Sequence, residues 1–491
     1  MPEPVTPTPD AEAALAHAGA PLREHSNGLF GTLTLIHLGV LVIFTSWAFG
    51  GQAPWVRDIL LGWGTLGMIL FVSTCGDLAR RGAAPFAALR PLWPLLVFDL
   101  LVGASCLNPS FREILRGGVP YFSIQTPPHA WLPSSARPGL SLRELWQFNA
   151  IVLSCYNLCL ALANRRALRA LLLLLAGNAV ALAVFGTFQK LAGSPGLWLG
   201  LVKSPNVHFF ATFIYHNHWA AFTLLNLGVC LALLFHSLRR DDNRDRWHSP
   251  ALTGATATLL LAASVPLSAS RSGSLLAGLL LLAAFVHFLL RLVRRRREMN
   301  ESAALPATAL VVAAVLAVAA IGWLGRNVIA QRAQLTAEQL ERIRVEDTLN
   351  SRLILYRDTW RMAAEKIWFG WGLETYAHVF RIFNSQRTAE RWVPFYAEAH
   401  SDWLQSVAEV GLVGTALLVL LGALPLAAIP WRRVQSLVPR YLLGGCGLLL
   451  LYAWVEFPFA NPSVMMTFWI CLYGAVRYAS LDLRTQNAPP A

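Results

Sequence analysis

Two side chains could do chemistry in an otherwise apolar chain. His400 lies in Ala399-His400-Ser401-Asp402-Trp403-Leu404-Gln405, where a polar stretch gives way to an apolar one. A neutral imidazole at such a place can take the proton from a sugar hydroxyl. Nearby helix-terminal N–H groups favour the neutral ring and Asp402 favours the charged one, so the sequence leaves its protonation open. Taken alone, a histidine at a helix start is more often structural. Arg271, in Ser268-Ala269-Ser270-Arg271-Ser272-Gly273, separates two uncharged apolar runs by a very short turn. A guanidinium near hydrocarbon is costly without a partner, so it suits an anion clamp facing an outer cavity. The plainer reading is an interfacial arginine that snorkels.

Other candidates carry less. His208, His216 and His218 imitate a metal cluster, but no carboxylates accompany them, and acceptor contacts, headgroup contacts or plain structure fit better. Asp99 lies inside an apolar run and could orient an arginine, form a structural pair or stay protonated. Trp371, Trp392 and Trp403 could stack on sugars, although an interfacial aromatic belt explains them equally well. Cys155 and Cys159 share a helix face at i, i+4 without His or carboxylate, which reads as small apolar packing.

The elements that must hold these residues are membrane helices. Only 14% of the residues are charged, against roughly 25% in soluble proteins. Twelve apolar runs approach the ~20 residues needed to cross a bilayer: 29–49, 59–75, 92–108, 145–164, 170–189, 217–238, 251–269, 272–290, 303–324, 411–431, 441–455 and 463–478. The first is too long for a signal peptide and follows a Pro- and Ala-rich leader, 1–27, that reads as disordered. An even number of spans places both ends on one side. With those ends in the cytoplasm, the inner segments hold 21 basic residues and the short outer ones 8. That asymmetry favours the cytoplasmic N-terminus. The net charge of +13 is then mostly inner-loop arginine, including Arg294 to Arg297 against lipid headgroups, and calls for no nucleic acid.

The expected organisation is a cytoplasmic leader, spans one to nine over 28–325, a long outer loop over 326–410, spans ten to twelve over 411–480, and a cytoplasmic tail over 481–491. The long loop reads as helical. Thr336-Ala337-Glu338-Gln339 fits a capping box beside Leu335, Leu340 and Ile343. Ser351 could cap a helix over 352–367, Phe369-Gly370-Trp371-Gly372 breaks it, and a further helix starts near Ser401 and runs through Glu409. These amphipathic pieces should lie along the interface rather than fold as a separate domain. Prolines in 109–144 point to a compact capping loop. No cysteine falls in the long loop, so no disulfide framework supports it.

The order of short motifs is similar to that of the O-antigen ligase and Wzy-type polymerase family. It comprises Asn217-His218-Trp219-Ala220, Ser-Arg-Ser-Gly at Arg271, Ser351-Arg352 with Tyr356-Arg357-Asp358-Thr359-Trp360, Gly370-Trp371-Gly372-Leu373, Ala399 to Gln405 with Glu409 and Gly411, and Val455-Glu456-Phe457-Pro458-Phe459. The resemblance runs from about 180 to 480. Ser401 stands where the family more usually has Asn.

That resemblance implies an all-α, polytopic GT-C-like glycosyltransferase of the bacterial inner membrane with its site on the periplasmic face. It would move a glycan from an undecaprenyl-diphosphate-linked donor to a glycan, lipid A-core or protein acceptor, with inversion and with no metal or other cofactor. His400 would be the base, Arg271 and Arg352 the diphosphate clamps, and Arg357, Asn217, His218, Trp403 and Glu456 substrate contacts. Two alternatives remain: a protein O-oligosaccharyltransferase of the same superfamily, and a polysaccharide transporter or flippase. The long outer loop ending in His400 argues against transport.

Overall fold

The computed structural model describes residues 28–82, 85–117, 119–238, 249–324, 326, 348–386 and 395–486. The leader, the capping box at Thr336, Trp392 and inner arginines Arg239, Arg240, Arg244 and Arg246 lie outside these residues.

Apolar composition and helical propensity together give a multi-pass helical protein. Among the described residues, nine helices are long and apolar enough to cross a membrane. They include α1 (Leu29–Trp47), α2 (Pro54–Arg80), α3 (Trp93–Leu107), which reaches crossing length only together with the turns before it from Ala87, α5 (Arg165–Leu191), α6 (His216–Ser237), α7 (Pro250–Leu267) and α8 (Arg271–Glu298). The other two are α12 (Asp402–Ala427) and α14 (Pro462–Gln486). Three further apolar runs also form helices: α4 (Pro138–Ala161), α9 (Ala304–Leu324) and α13 (Val438–Tyr452). The expectation is twelve membrane spans; among the described residues nine helices satisfy both length and composition for crossing.

Helix α6 is apolar on every side, and it is correspondingly enclosed by α5, α7, α8, α13 and α14. Its closest neighbour is α13. A Cβ on Gly228 would stand 2.9 Å from the Tyr441 carbonyl oxygen, so only glycine lets the two backbones approach this closely. Side-chain amides tie other spans together: Asn157 donates to Thr34 at 2.9 Å, and Asn178 accepts from Trp47 and donates to Ser46 at 2.9 Å each. Asp99 is also satisfied this way, accepting from Asn149 at 2.8 Å rather than orienting an arginine. Cys155 and Cys159 turn their thiols to carbonyls of α14, at Met466 and Tyr473, as packing residues do.

Above the end of the bundle that carries His400 sits a cap with its own small core. Leu355, Met362, Trp371, Tyr376 and Phe380 pack there with Phe111 and Ala399. They come from α10 (Thr348–Glu365), α11 (Tyr376–Phe383), a hairpin of β1 (Phe111–Arg116) and β2 (Val119–Ile124), the turn that carries Trp371 and the stretch before Asp402. This differs from the expectation of separate amphipathic helices along the interface, because the 109–136 segment supplies a partner layer. It also moves a boundary. The loop helix beginning after Ser401 and the span expected from 411 are one helix, α12, kinked at Gly411.

That kink is where the cap is fastened. Gly370 and Gly411 both have left-handed backbones, with φ of +68° and +69°, and each lies against the other's strand of chain. Trp371 N donates to Ala408 O at 3.0 Å, Gly372 N to Glu409 O at 2.8 Å and Leu412 N to Ile367 O at 2.8 Å. The Glu409 carboxylate then accepts from Tyr376 N at 2.9 Å, capping α11. The Gly-Trp-Gly break thus fixes α10 relative to α12, and so Arg352 relative to His400.

Candidate active site

Ser401 caps α12 by accepting from Leu404 N, a role that Ser and Asn perform equally well. The residue before it, His400, is left-handed at φ +53°, a conformation that costs energy in a non-glycine residue. Several contacts hold it there. Tyr356 donates its hydroxyl to the His400 carbonyl at 2.9 Å, and Asp402 N donates to Ala453 O at 2.9 Å. The ring meets Phe457 edge-on with centroids 4.8 Å apart, and 28% of the side chain is exposed.

The carboxylate facing His400 is Glu456. Its Oε2 lies 3.7 Å from His400 Nδ1, an ion-pair distance longer than a hydrogen bond. Glu456 is buried, accepts from Tyr215 Oη at 3.2 Å and pairs with Arg352 Nη2 at 3.3 Å. Burial alone would raise this carboxyl, but the His400 ring and the Arg352 guanidinium outweigh it and hold it below its ordinary range. Asp402, the sequence neighbour expected to act on His400, instead accepts from Phe459 N at 2.9 Å. It staples the start of α12 to the 457–460 turn.

The residues before α6 complete the wall. Asn217 donates to the Tyr215 hydroxyl at 2.7 Å, leaving that hydroxyl to donate onward to Glu456. Burial and the Glu456 charge push the Tyr215 phenol well above its ordinary range, so it stays a donor. His218 is almost wholly enclosed, and its Nε2 bonds the Phe457 carbonyl at 3.2 Å. It holds the turn rather than offering a surface to substrate. His216 bonds the His208 carbonyl through Nδ1, and no group of metal-ligating side chains occurs among the described residues.

Arg352 and Arg271 arrive from different elements. Arg352 lies one turn before Tyr356 on α10, and half of its side chain is exposed. Arg271 opens α8, exposed, behind the capping Ser270, whose hydroxyl is 3.0 Å from that of Tyr452. Tyr452 in turn accepts Glu456 N through its carbonyl at 3.0 Å, so the α8 start and Glu456 share one end of α13. Arg357 is directed elsewhere, to Ser385 at 3.0 Å and to the buried Asp358 at 3.5 Å. Trp371 lies in the cap core with its indole N–H on Met362 O and Lys366 over its ring, so it is not an open stacking surface. Trp403 donates to Leu450 O at 3.0 Å.

Tyr215, Tyr356 and Phe457 are the supporting residues to which sequence reasoning gave no role. The i, i+4 spacing of Arg352 and Tyr356 was a usable sign for one of them.

Residues 256–419 match the family model for O-antigen ligase.

The match supports the resemblance to the O-antigen ligase and Wzy-type polymerase family over about a third of the chain. It runs from α7 into α12 and takes in Arg271, Arg352, Arg357, His400 and Trp403; Asn217, His218 and Glu456 lie beyond it. Beside this match stand nine helices, among the described residues, long and apolar enough to cross a membrane, as in a multi-pass membrane protein. No curated protein matches the chain.

Proposed function

We propose that this chain is a membrane glycosyltransferase that moves a glycan from a polyprenyl-diphosphate-linked donor to an acceptor hydroxyl on the outer face of the bacterial inner membrane. The observation that carries the reading is the meeting of His400, Glu456 and Arg352 at the end of the bundle where α8 begins with Arg271.

The chemistry follows from those groups. With a proton on Nδ1 facing Glu456, His400 presents Nε2 as a base. It takes the acceptor proton as the acceptor oxygen bonds to the anomeric carbon. The bond from that carbon to the diphosphate oxygen breaks with its electron pair, and attack from the opposite side inverts the centre. Arg352 and Arg271 meet the charge growing on the diphosphate, which guanidinium forks bind in matched pairs of hydrogen bonds. Glu456 steadies the imidazolium as it forms. Asn217 and Tyr215 keep Glu456 in place.

A glycan ladder from a strain lacking the chain tests this reading and sorts its variants. Long chains lost with single units kept on the acceptor indicate a polymerase. All attached glycan lost, with lipid-linked polymer accumulating, indicates a ligase. An unchanged ladder overturns the proposal.

A further inference from the structure

On the far side of the Asp402–Phe459 staple from His400 lies a slot of about 370 Å³ between α12 and α14. A cavity of roughly 150 Å³ already accepts a benzene ring, so this one is large. Its deep part is hydrocarbon: Leu418, Gly422 and Leu426 of α12 face Phe468, Trp469 and Leu472 of α14. The depth follows α12 from its first turn to its last. A half-open slot this apolar along a membrane helix suits an apolar occupant.

The end beside the cap has a different character. Glu144, Glu374, Glu398, Asp402 and Glu409 line it with Gln147 and Gln405. Among the described lining residues the one cation is Arg57, and it stands 3.7 Å from Glu144 and 3.5 Å from Glu374. A phosphate brought here would find that cation already held by two carboxyl groups and no other cation among the described lining residues. The arginines suited to a diphosphate, Arg271 and Arg352, do not line this slot. Carboxyl and amide groups around a hydrocarbon shaft do suit hydroxyls: they accept from them, and Glu398, whose carboxyl burial pushes up to about 8, can also donate.

We propose that this slot takes the hydrocarbon tail of a membrane glycolipid whose hydroxyl-rich, uncharged head rests among the carboxyl and amide groups at its cap end. The site is separate from the diphosphate-binding groups and does not depend on the transfer chemistry.

The test uses the full chain in nanodiscs and two photoactivatable lipids with the same diazirine-bearing tails, a monoglucosyl diacylglycerol and a phosphatidylglycerol. The glucosyl lipid should label peptides of α12 and α14, with unlabelled glucosyl lipid competing and phosphatidylglycerol not. Filling the shaft by Gly422→Leu, or independently by Val419→Trp, should lower that labelling about tenfold. A Cβ at Gly422 meets only Leu472 at 3.5 Å, an ordinary contact, and Val419 is 46% exposed, so one or both variants should fold, as thermal unfolding would verify. Glu374→Lys, at a residue with 40% of its side chain exposed, should raise phosphatidylglycerol labelling. Equal labelling by the two lipids in the unaltered chain, or glucosyl labelling that survives in a folded shaft variant, overturns the proposal. Because no donor or transfer is involved, failure here is distinct from failure of the glycosyltransferase reading.

Discussion

His400 Nδ1 and Glu456 Oε2 lie 3.7 Å apart although 56 positions separate them in the chain, and the turn that carries Glu456 also carries the Phe457 ring against which His400 packs. The imidazole is thereby given a direction and an anionic neighbour, while Arg352 on the same carboxylate brings a cation to the same place.

Glu456 acts through His400 in this account, so its removal should show in the pH profile as well as the rate. Its folded carboxyl lies below the ordinary value of about 4.3. The ionised form therefore contributes stability above that pH, and the contribution is lost as the pH falls through the lower folded value. Glu456→Gln should cut kcat by about tenfold or more and reshape the acid limb, with partial recovery in Glu456→Asp. An unchanged profile with full rate would remove Glu456 from the mechanism.

Arg352 and Arg357, both on α10, should differ. Arg352→Ala should cost on the order of 10²-fold in transfer, and Arg352→Lys less, because lysine keeps the charge and loses the fork. Arg357→Ala should stay within about threefold, since its partners are Ser385 and Asp358 rather than the site. Steady-state transfer rates for the three variants decide it; an Arg357 effect equal to that of Arg352 contradicts the geometry.

The legible and illegible parts of the sequence divide along physical lines. Apolar runs and the start of a helix near Ser401 depend on neighbours in sequence, and most of the runs form helices long and apolar enough to cross a membrane. Asp402 was the obvious partner for His400 because it is two positions away, yet the first residue of a helix turns its side chain to the nearby Phe459 amide. The real neighbour, Glu456, is brought in by a long-range turn that no local pattern encodes. Arg352 and Arg357 sit in one motif, but five residues on a helix rotate a side chain by about 140°, so they face apart. Trp371 read as a sugar-stacking or belt residue, and the glycine break around it folds it into the cap instead. The hairpin of β1 and β2 was missed because prolines suggested only an irregular loop.

The glycine latch between cap and α12 gives a stability prediction. A Cβ on Gly370 would come within 2.3 Å of the Glu409 carbonyl and one on Gly411 within 2.2 Å of the Trp368 carbonyl oxygen, both at positive φ. Gly411→Ala or Gly370→Ala should each cost more than the ~1–3 kcal/mol of backbone strain alone. The loss would be read as a fall in unfolding temperature and as weaker transfer, since α10 would shift against α12. Unfolding temperatures matching the unaltered chain would contradict the latch.

Glu398 offers a test of opposite sign. Burial and the Glu374 charge push its carboxyl up to about 8. A raised acid binds more protons in the folded than in the unfolded state, so the stability it contributes is present below about 4.3 and lost as pH rises through 8. Glu398→Gln should therefore unfold roughly 2–4 °C higher than the unaltered chain at pH 9, with a smaller gain at pH 5. A gain independent of pH contradicts the assignment.

The central claim is that His400 deprotonates the acceptor. Its most direct measurement is transfer by the purified full chain from a polyprenyl-diphosphate-linked glycan to an acceptor, comparing His400→Ala and Arg271→Ala with the unaltered protein at equal donor occupancy. The account predicts that His400→Ala loses about 10²–10⁴-fold in rate while still binding donor, and that Arg271→Ala loses both donor affinity and rate. Full transfer by both variants would contradict it.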